Sequence, residues 1–121
     1  EKVRDRTDGH GVDLVVECTG KVDVWEASPA LARKGGWVLL FGGCPVGSAV
    51  RFDTHRLHYD QIRIVSPTHF TPRAVRRACE MLASGSGQTR SLISGEMPLA
   101  ALGEALERHR KGEGIKWAVI P

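Results

Sequence analysis

The 121-residue sequence is poor in cysteine: Cys18, Cys44 and Cys79 are odd in number and far apart. That spacing excludes a disulfide framework and suits a reducing compartment. There is no C-x-x-C pair. His55-x-x-His58 stands without cysteine or a downstream carboxylate at ligand spacing, so the two histidines read as surface residues of a polar loop and no metal site is expected. No apolar run approaches membrane-spanning length, and no membrane partner is expected. The opening Glu1-Lys2-Val3-Arg4-Asp5 lacks the charged-then-apolar order of a signal peptide, so the cytoplasm is the expected location.

Strong charge of one sign is also lacking. The net charge is +3, and the arginines are spread along the chain. Their densest group, Arg108, Arg110 and Lys111, falls at the end of an expected helix, where cations favour the helix dipole. A solvated face follows, with no nucleic-acid surface. A complete dinucleotide fingerprint is missing as well. Gly9-x-Gly11, Gly85-x-Gly87 and Gly112-x-Gly114 each want the third glycine, and the first pair precedes a strand instead of following one. Nothing supports a Ser/His/Asp or Cys/His nucleophile. Cys79 falls on the apolar face of an expected helix and reads as core. Cys18 ends an apolar strand and reads as inert unless a cation lowers its pKa.

What is present is an ordinary globular composition, 41% hydrophobic and 26% charged, in a chain long enough for one modest core. Val12 to Cys18 is a short, β-branched apolar run that reads as a buried strand. Val22 to Lys34 carries Val24, Ala27, Ala30 and Leu31 at helical spacing. Pro29 lies inside it, so this helix is either kinked or begins late. Gly35-Gly36 ends it, and Trp37 to Phe41 is a second buried strand. Strand, helical crossover and strand make a right-handed βαβ unit, expected in a parallel sheet covered on both faces.

Gly47 to Tyr59 reads as polar and irregular, and Gln61 to Val65 as a strand with one exposed face. Thr71-Pro72 starts a helix: the threonine can cap, and proline fits the first helical position. Val75, Ala78, Cys79 and Leu82 follow at helical spacing, with Gly85 as the stop. Ser84 to Ser94 reads as a Gly/Ser-rich connector. Pro98 opens a last helix with Leu102, Ala105, Leu106 and His109 on one face, ending near Gly112. Ile115 to Ile120 is a closing strand. The expected order is β-α-β, a loop, then β-α-α-β. The fold class is α/β, half of a doubly wound sheet in a single domain over residues 1–121.

In open parallel sheets, ligands bind beyond the carboxyl ends of the strands. Three segments of this sequence lie at such ends: Glu17-Cys18-Thr19-Gly20, Phe41-Gly42-Gly43-Cys44-Pro45 and Ser66-Pro67-Thr68-His69. Gly20, Gly42 and Gly43 either let a flat ligand approach the backbone or simply make tight turns.

The order of these segments is specific. Gly11 to Gly20 followed by Gly35 to Gly43 resembles the zinc-containing medium-chain alcohol and polyol dehydrogenases. Leu57-His58-Tyr59 and His69-Phe70-Thr71-Pro72 are similar to the sorbitol and threonine dehydrogenase branch. Pro98-Leu99, Ala105, Gly112-Glu113, Ile115-Lys116 and Pro121 follow that family's C-terminus. The resemblance covers nearly the whole sequence and implies the C-terminal half of a Rossmann-type nucleotide-binding domain.

It also implies contacts to NAD or NADP. Cys18 and Thr19 would meet the nicotinamide ribose, and Phe41, Gly42 and Gly43 would lie along the nicotinamide. Ser66, Pro67 and His69 would offer backbone groups to its carboxamide. Lys116 would approach the pyrophosphate, where a cation offsets phosphate charge, or else is a solvent-facing strand residue. The family usually has Gly-Ser where this sequence has Ser66-Pro67, and proline removes one backbone donor. Pro29 is a second departure.

In the family, the zinc ligands and proton relay lie in an N-terminal catalytic domain. The glycine fingerprint and the acidic ribose-binding residue lie in the first half of the nucleotide-binding domain. None has a counterpart here, so the chain alone is not expected to be catalytic, and the small alcohol or polyol substrate would be met through the other domain. The strand at Val12 to Cys18 would then have an unpaired edge, and a homo-oligomer through sheet edges is expected. The other reading is a free-standing α/β module that binds nucleotides or proteins without catalysis. Zinc ligands and a glycine fingerprint upstream would decide for the dehydrogenase, and a start at Glu1 without methionine favours it.

Overall fold

The computed structural model describes residues 2–85 and 89–121. Within Gly85-x-Gly87, Gly87 lies outside the described residues, as do Ser86 and Gln88 of the expected connector. The chain divides into two compact units, residues 1–69 and 70–121.

The first unit contains α1 (Lys2–Asp5), β1 (Val12–Glu17), α2 (Val22–Ala27), a 3-10 turn (Ser28–Leu31), β2 (Ala32–Leu40), α3 (Thr54–Tyr59) and β3 (Arg63–Val65). The three strands form one parallel sheet in the order β1-β2-β3. Val12 faces Ala32 but Leu14 faces Trp37, so residues 33–36 are looped out of register. The expected helix to Lys34 is therefore corrected. The α-helix stops at Ala27, and Pro29 sits in the first turn of the 3-10 segment, because proline has no N–H with which to continue an α-helical ladder. A second correction concerns 47–59, whose last six residues form α3. Asp53 caps it by accepting from the Arg56 amide at 3.1 Å, and His55 and His58 are exposed on this helix, each in ring contact with Tyr59.

Registered strand partners share a face. Val15, Val38 and Leu40 are buried together with Ala32 and Ile62, and Trp25, Leu31, Phe52 and Leu57 pack against them. That face holds the core, and α2, the 3-10 turn and α3 all contribute to it. The opposite face carries Leu14, Val16, Trp37 and Val65, all exposed. A sheet covered on both faces is thus not what the first unit shows, since each of these helical segments packs on the same side.

The second unit contains α4 (Pro72–Ala83), a 3-10 turn (Thr89–Leu92), β4 (Ile93–Pro98), a 3-10 turn (Leu99–Ala101), α5 (Leu102–Arg110) and β5 (Lys116–Ile120). Thr71 caps α4 by accepting from the Ala74 amide at 3.2 Å, with Pro72 in the first turn as expected. The connector contains a strand: β4 pairs in parallel with β5, so the order is β-α-β-α-β and Pro98 ends a strand instead of opening a helix. Ser94 helps set this pairing, its hydroxyl accepting from the Ile115 amide at 2.7 Å. Cys79 is exposed on α4, which has no buried residue, so its expected place in the core is corrected. The basic end of α5 is solvated and paired along the helix, Arg108 with Glu104 and both Arg110 and Lys111 with Glu107. No helix among the described residues is long and apolar enough to cross a membrane.

Candidate functional site

Because β1, β2 and β3 are parallel and adjacent, their carboxyl ends share one edge of the first unit's sheet. Cys18 and Thr19 follow β1, Phe41, Gly42 and Gly43 follow β2, and Ser66, Pro67 and His69 follow β3. The fold thus gathers eight sequence-expected residues on one edge. Lys116 is not among them: it stands exposed at the start of β5, in the second unit.

The strand ends are tied together by named hydrogen bonds. The Phe41 and Gly42 amides both donate to the Glu17 carbonyl, at 2.8 and 3.0 Å. The Ser66 hydroxyl donates to the Leu40 carbonyl at 3.2 Å. The Trp25 indole, from α2, donates to the Gly42 carbonyl at 2.8 Å. Gly20 and Gly42 press backbone against backbone: a Cβ on Gly42 would collide with the Gly20 amide, and one on Gly20 with the Gly43 carbonyl. These two glycines make a tight turn pair. Gly43 differs, since a Cβ there would meet nothing within 4 Å.

Sequence reasoning missed the residue that organises this edge. Glu17 is 3% exposed. Its carboxylate accepts from the Thr19 amide and hydroxyl, both at 2.5 Å, and from the Gly20 amide at 3.1 Å. The Thr19 hydroxyl bond is the main reason its carboxyl lies below the usual range; burial opposes this, while the Thr19 and Gly20 amides and the Trp25 indole assist. The signal was available: a carboxylate ending an apolar strand, followed by Thr-Gly. On the other loop, burial first and the Glu17 charge second push the half-buried Cys44 thiol up. Cys18 is exposed.

This edge offers an open surface against which a flat ring can lie. The Phe41 side chain is 65% exposed, Gly43 is open, and the only carboxylate at these three strand ends is turned into its own loop. Pro67 contributes a carbonyl only. His69 holds a left-handed backbone, φ 57°. The edge leaves room for a flat ring beside Phe41 and Gly43. Zinc is a different matter: among the described residues no group of three or more His, Cys, Asp or Glu side chains is placed to hold a metal ion.

Comparison with known proteins agrees with this architecture. Residues 1–84 match the family described as zinc-binding dehydrogenase. A Rhizobium meliloti (strain 1021) protein described as a D-xylulose reductase is 36% identical over 88% of this chain and 31% of its own length. Among solved structures, an alcohol dehydrogenase from Thermus sp. ATN1 superposes with a TM-score of 0.88 at 23% identity, over 99% of this chain and 35% of that one. A Sinorhizobium meliloti 1021 structure, described as a zinc-binding dehydrogenase bound to NADP, gives a TM-score of 0.84 at 28% identity, over 93% of this chain and 32% of that one. The chain spans about a third of the length of these relatives.

Proposed function

Since the chain belongs to the zinc-binding dehydrogenase family, we propose that it supplies the nicotinamide side of the cofactor site of an NAD(P)-dependent alcohol or polyol dehydrogenase. The observation that carries this reading is the shared strand-end edge, where the Glu17-held turn and the Gly20–Gly42 contact fix the loops that bear Thr19, Phe41 and Gly43. In this reading Cys18 and Thr19 meet the nicotinamide ribose. Phe41 and Gly43 flank the ring, with Gly42 holding the turn beneath. Ser66, Pro67 and His69 present backbone groups to the carboxamide. Lys116 is read by itself, as an exposed cation suited to phosphate.

The bound nicotinamide would supply a hydride acceptor or donor for the alcohol or polyol carbon. The chain's own part is to orient that ring. Metal and substrate binding fall to the portion of the relatives' length that this chain does not span, so the chain alone turns over no alcohol. The reading includes a cytoplasmic homo-oligomer formed through sheet edges. It is supported by β1 and β3 being the two edges of the first sheet, with Leu14, Val16 and Val65 exposed on them.

Amide NMR spectra of the chain, titrated with NADH and with NADPH into the millimolar range, test the cofactor assignment. Shifts should concentrate at Thr19, Phe41, Gly43 and Ser66. A folded spectrum that both cofactors leave unmoved, or move only elsewhere, would remove the reading.

A further inference from the structure

We propose that Glu17 is a specificity-determining residue whose buried negative charge makes the nicotinamide side of the site prefer the oxidised, cationic ring over the reduced, neutral one. The inference rests on the cofactor reading above. It concerns a group that this reading otherwise uses only to hold a turn.

Three observations carry it. First, the carboxylate is 3% exposed and sits where β1 passes into the 18–20 loop. Second, the groups that hydrogen-bond to it are neutral: the Thr19 amide, the Thr19 hydroxyl and the Gly20 amide, with the Trp25 indole assisting. Such donors stabilise a carboxylate without cancelling its charge, and among the described residues no Lys, Arg or His forms an ion pair with it. Third, the field of that charge reaches the neighbouring loop, where it adds to burial in raising the Cys44 thiol. An uncompensated charge out of water is screened far less than a surface one.

The two cofactor states differ in the feature such a charge would sense. The oxidised pyridinium ring carries a positive charge, which hydride addition removes. The two loops most directly tied to Glu17 are the ones read as meeting the nicotinamide ribose and flanking the ring: Thr19 and Gly20 through its side chain, Phe41 and Gly42 through its carbonyl. A negative group behind these loops attracts the cationic ring and is indifferent to the neutral one. Turn geometry, by contrast, serves both states alike. The ratio of affinities therefore separates the charge from the scaffold.

The test uses the chain itself and its Glu17→Gln variant, with NAD+ and NADH affinities read from amide shifts. Glutamine keeps the shape and one acceptor oxygen but removes the charge. The ratio Kd(NADH)/Kd(NAD+) should fall by about threefold to tenfold in the variant, the order expected for one unit charge acting through protein. Equal weakening of both forms, with the ratio unchanged, would make Glu17 scaffold only and overturn the proposal while leaving the cofactor reading in place. If the parent chain binds neither form, and neither NADP+ nor NADPH, the cofactor reading itself falls and this inference with it.

A second measurement needs no variant, in case Glu17→Gln does not fold. The cationic ring probe 1-methylnicotinamide should move the Thr19 and Gly43 amides of the unaltered chain at several-fold lower concentration than neutral nicotinamide. Equal or weaker binding of the cation would overturn the charge preference.

Discussion

Gly20 and Gly42 pack main chain against main chain: a Cβ on Gly42 would run into the Gly20 amide, and one on Gly20 into the neighbouring Gly43 carbonyl. Gly20 also holds φ at 67°, which favours glycine. Gly42→Ala should therefore destabilise the first unit by about 1–3 kcal/mol, the usual cost of overpacking against atoms that cannot move aside. Gly43→Ala is the matched contrast: its Cβ meets nothing, so stability should stay within about 0.5 kcal/mol. Under the cofactor reading it should still weaken NADH binding, because the methyl group projects into the open side. Urea unfolding and NADH titration of the two variants check the pair. Equal destabilisation by both would contradict the contact.

This contrast shows how much the sequence could tell. The three strand ends were legible, because apolar runs stopped by Thr-Gly, Gly-Gly and Ser-Pro carry their own punctuation. Which glycine packs and which lies open was not legible, since it depends on β1 and β2 being neighbours. Glu17 was passed over for a similar reason: its role needs the turn to fold back onto it. α3 was hidden because it is short and only Leu57 of its six residues packs against the core. β4 was hidden by Ser94 and Gly95, which look like loop until Ser94 is seen holding the Ile115 amide. The start of α4 was fully legible, since a Thr-Pro cap acts through local geometry alone.

Trp25 links α2 to the candidate edge through its indole, which donates to the Gly42 carbonyl at 2.8 Å. Trp25→Phe keeps most of the packing and removes that donor. A loss of about 1 kcal/mol is expected, the net value of one ordinary hydrogen bond. The Gly43 amide signal should shift at the same time, as the loop is freed at one point. A variant with unchanged stability and unchanged loop signals would show that the bond does not form in solution.

Acid should act on the first unit through Glu17. Its carboxyl is lowered from the ordinary value of 4.5, chiefly by the Thr19 hydroxyl, so the folded state favours the ionised form. The stabilisation is complete above the ordinary carboxylate range and is lost as pH falls through the lower folded value. Asp13, paired with Arg33, and Glu107, paired with Arg110, are lowered too, but these are exposed ion pairs of small effect. Urea midpoints measured from about pH 7 to about pH 3 should therefore fall more steeply for the parent chain than for Glu17→Gln. Parallel curves would mean that another group controls acid unfolding.

Self-association should follow from the bare side of the first sheet. Leu14 and Val16 are 53% and 49% exposed on β1, and Trp37, registered beside Leu14, is 47% exposed. An apolar face next to an unpaired strand edge favours a second copy over water. Val16→Lys places a charge on that face without touching Val15 or Glu17, whose side chains point to the buried side. Light scattering of the parent chain should show an average mass that rises with concentration, and Val16→Lys should return it to that of one chain. Because the substitution lies on the exposed face, the urea midpoint should change little, which separates lost association from lost folding. A parent chain that stays monomeric at high concentration would remove the oligomer from the proposed function and leave the cofactor assignment untouched.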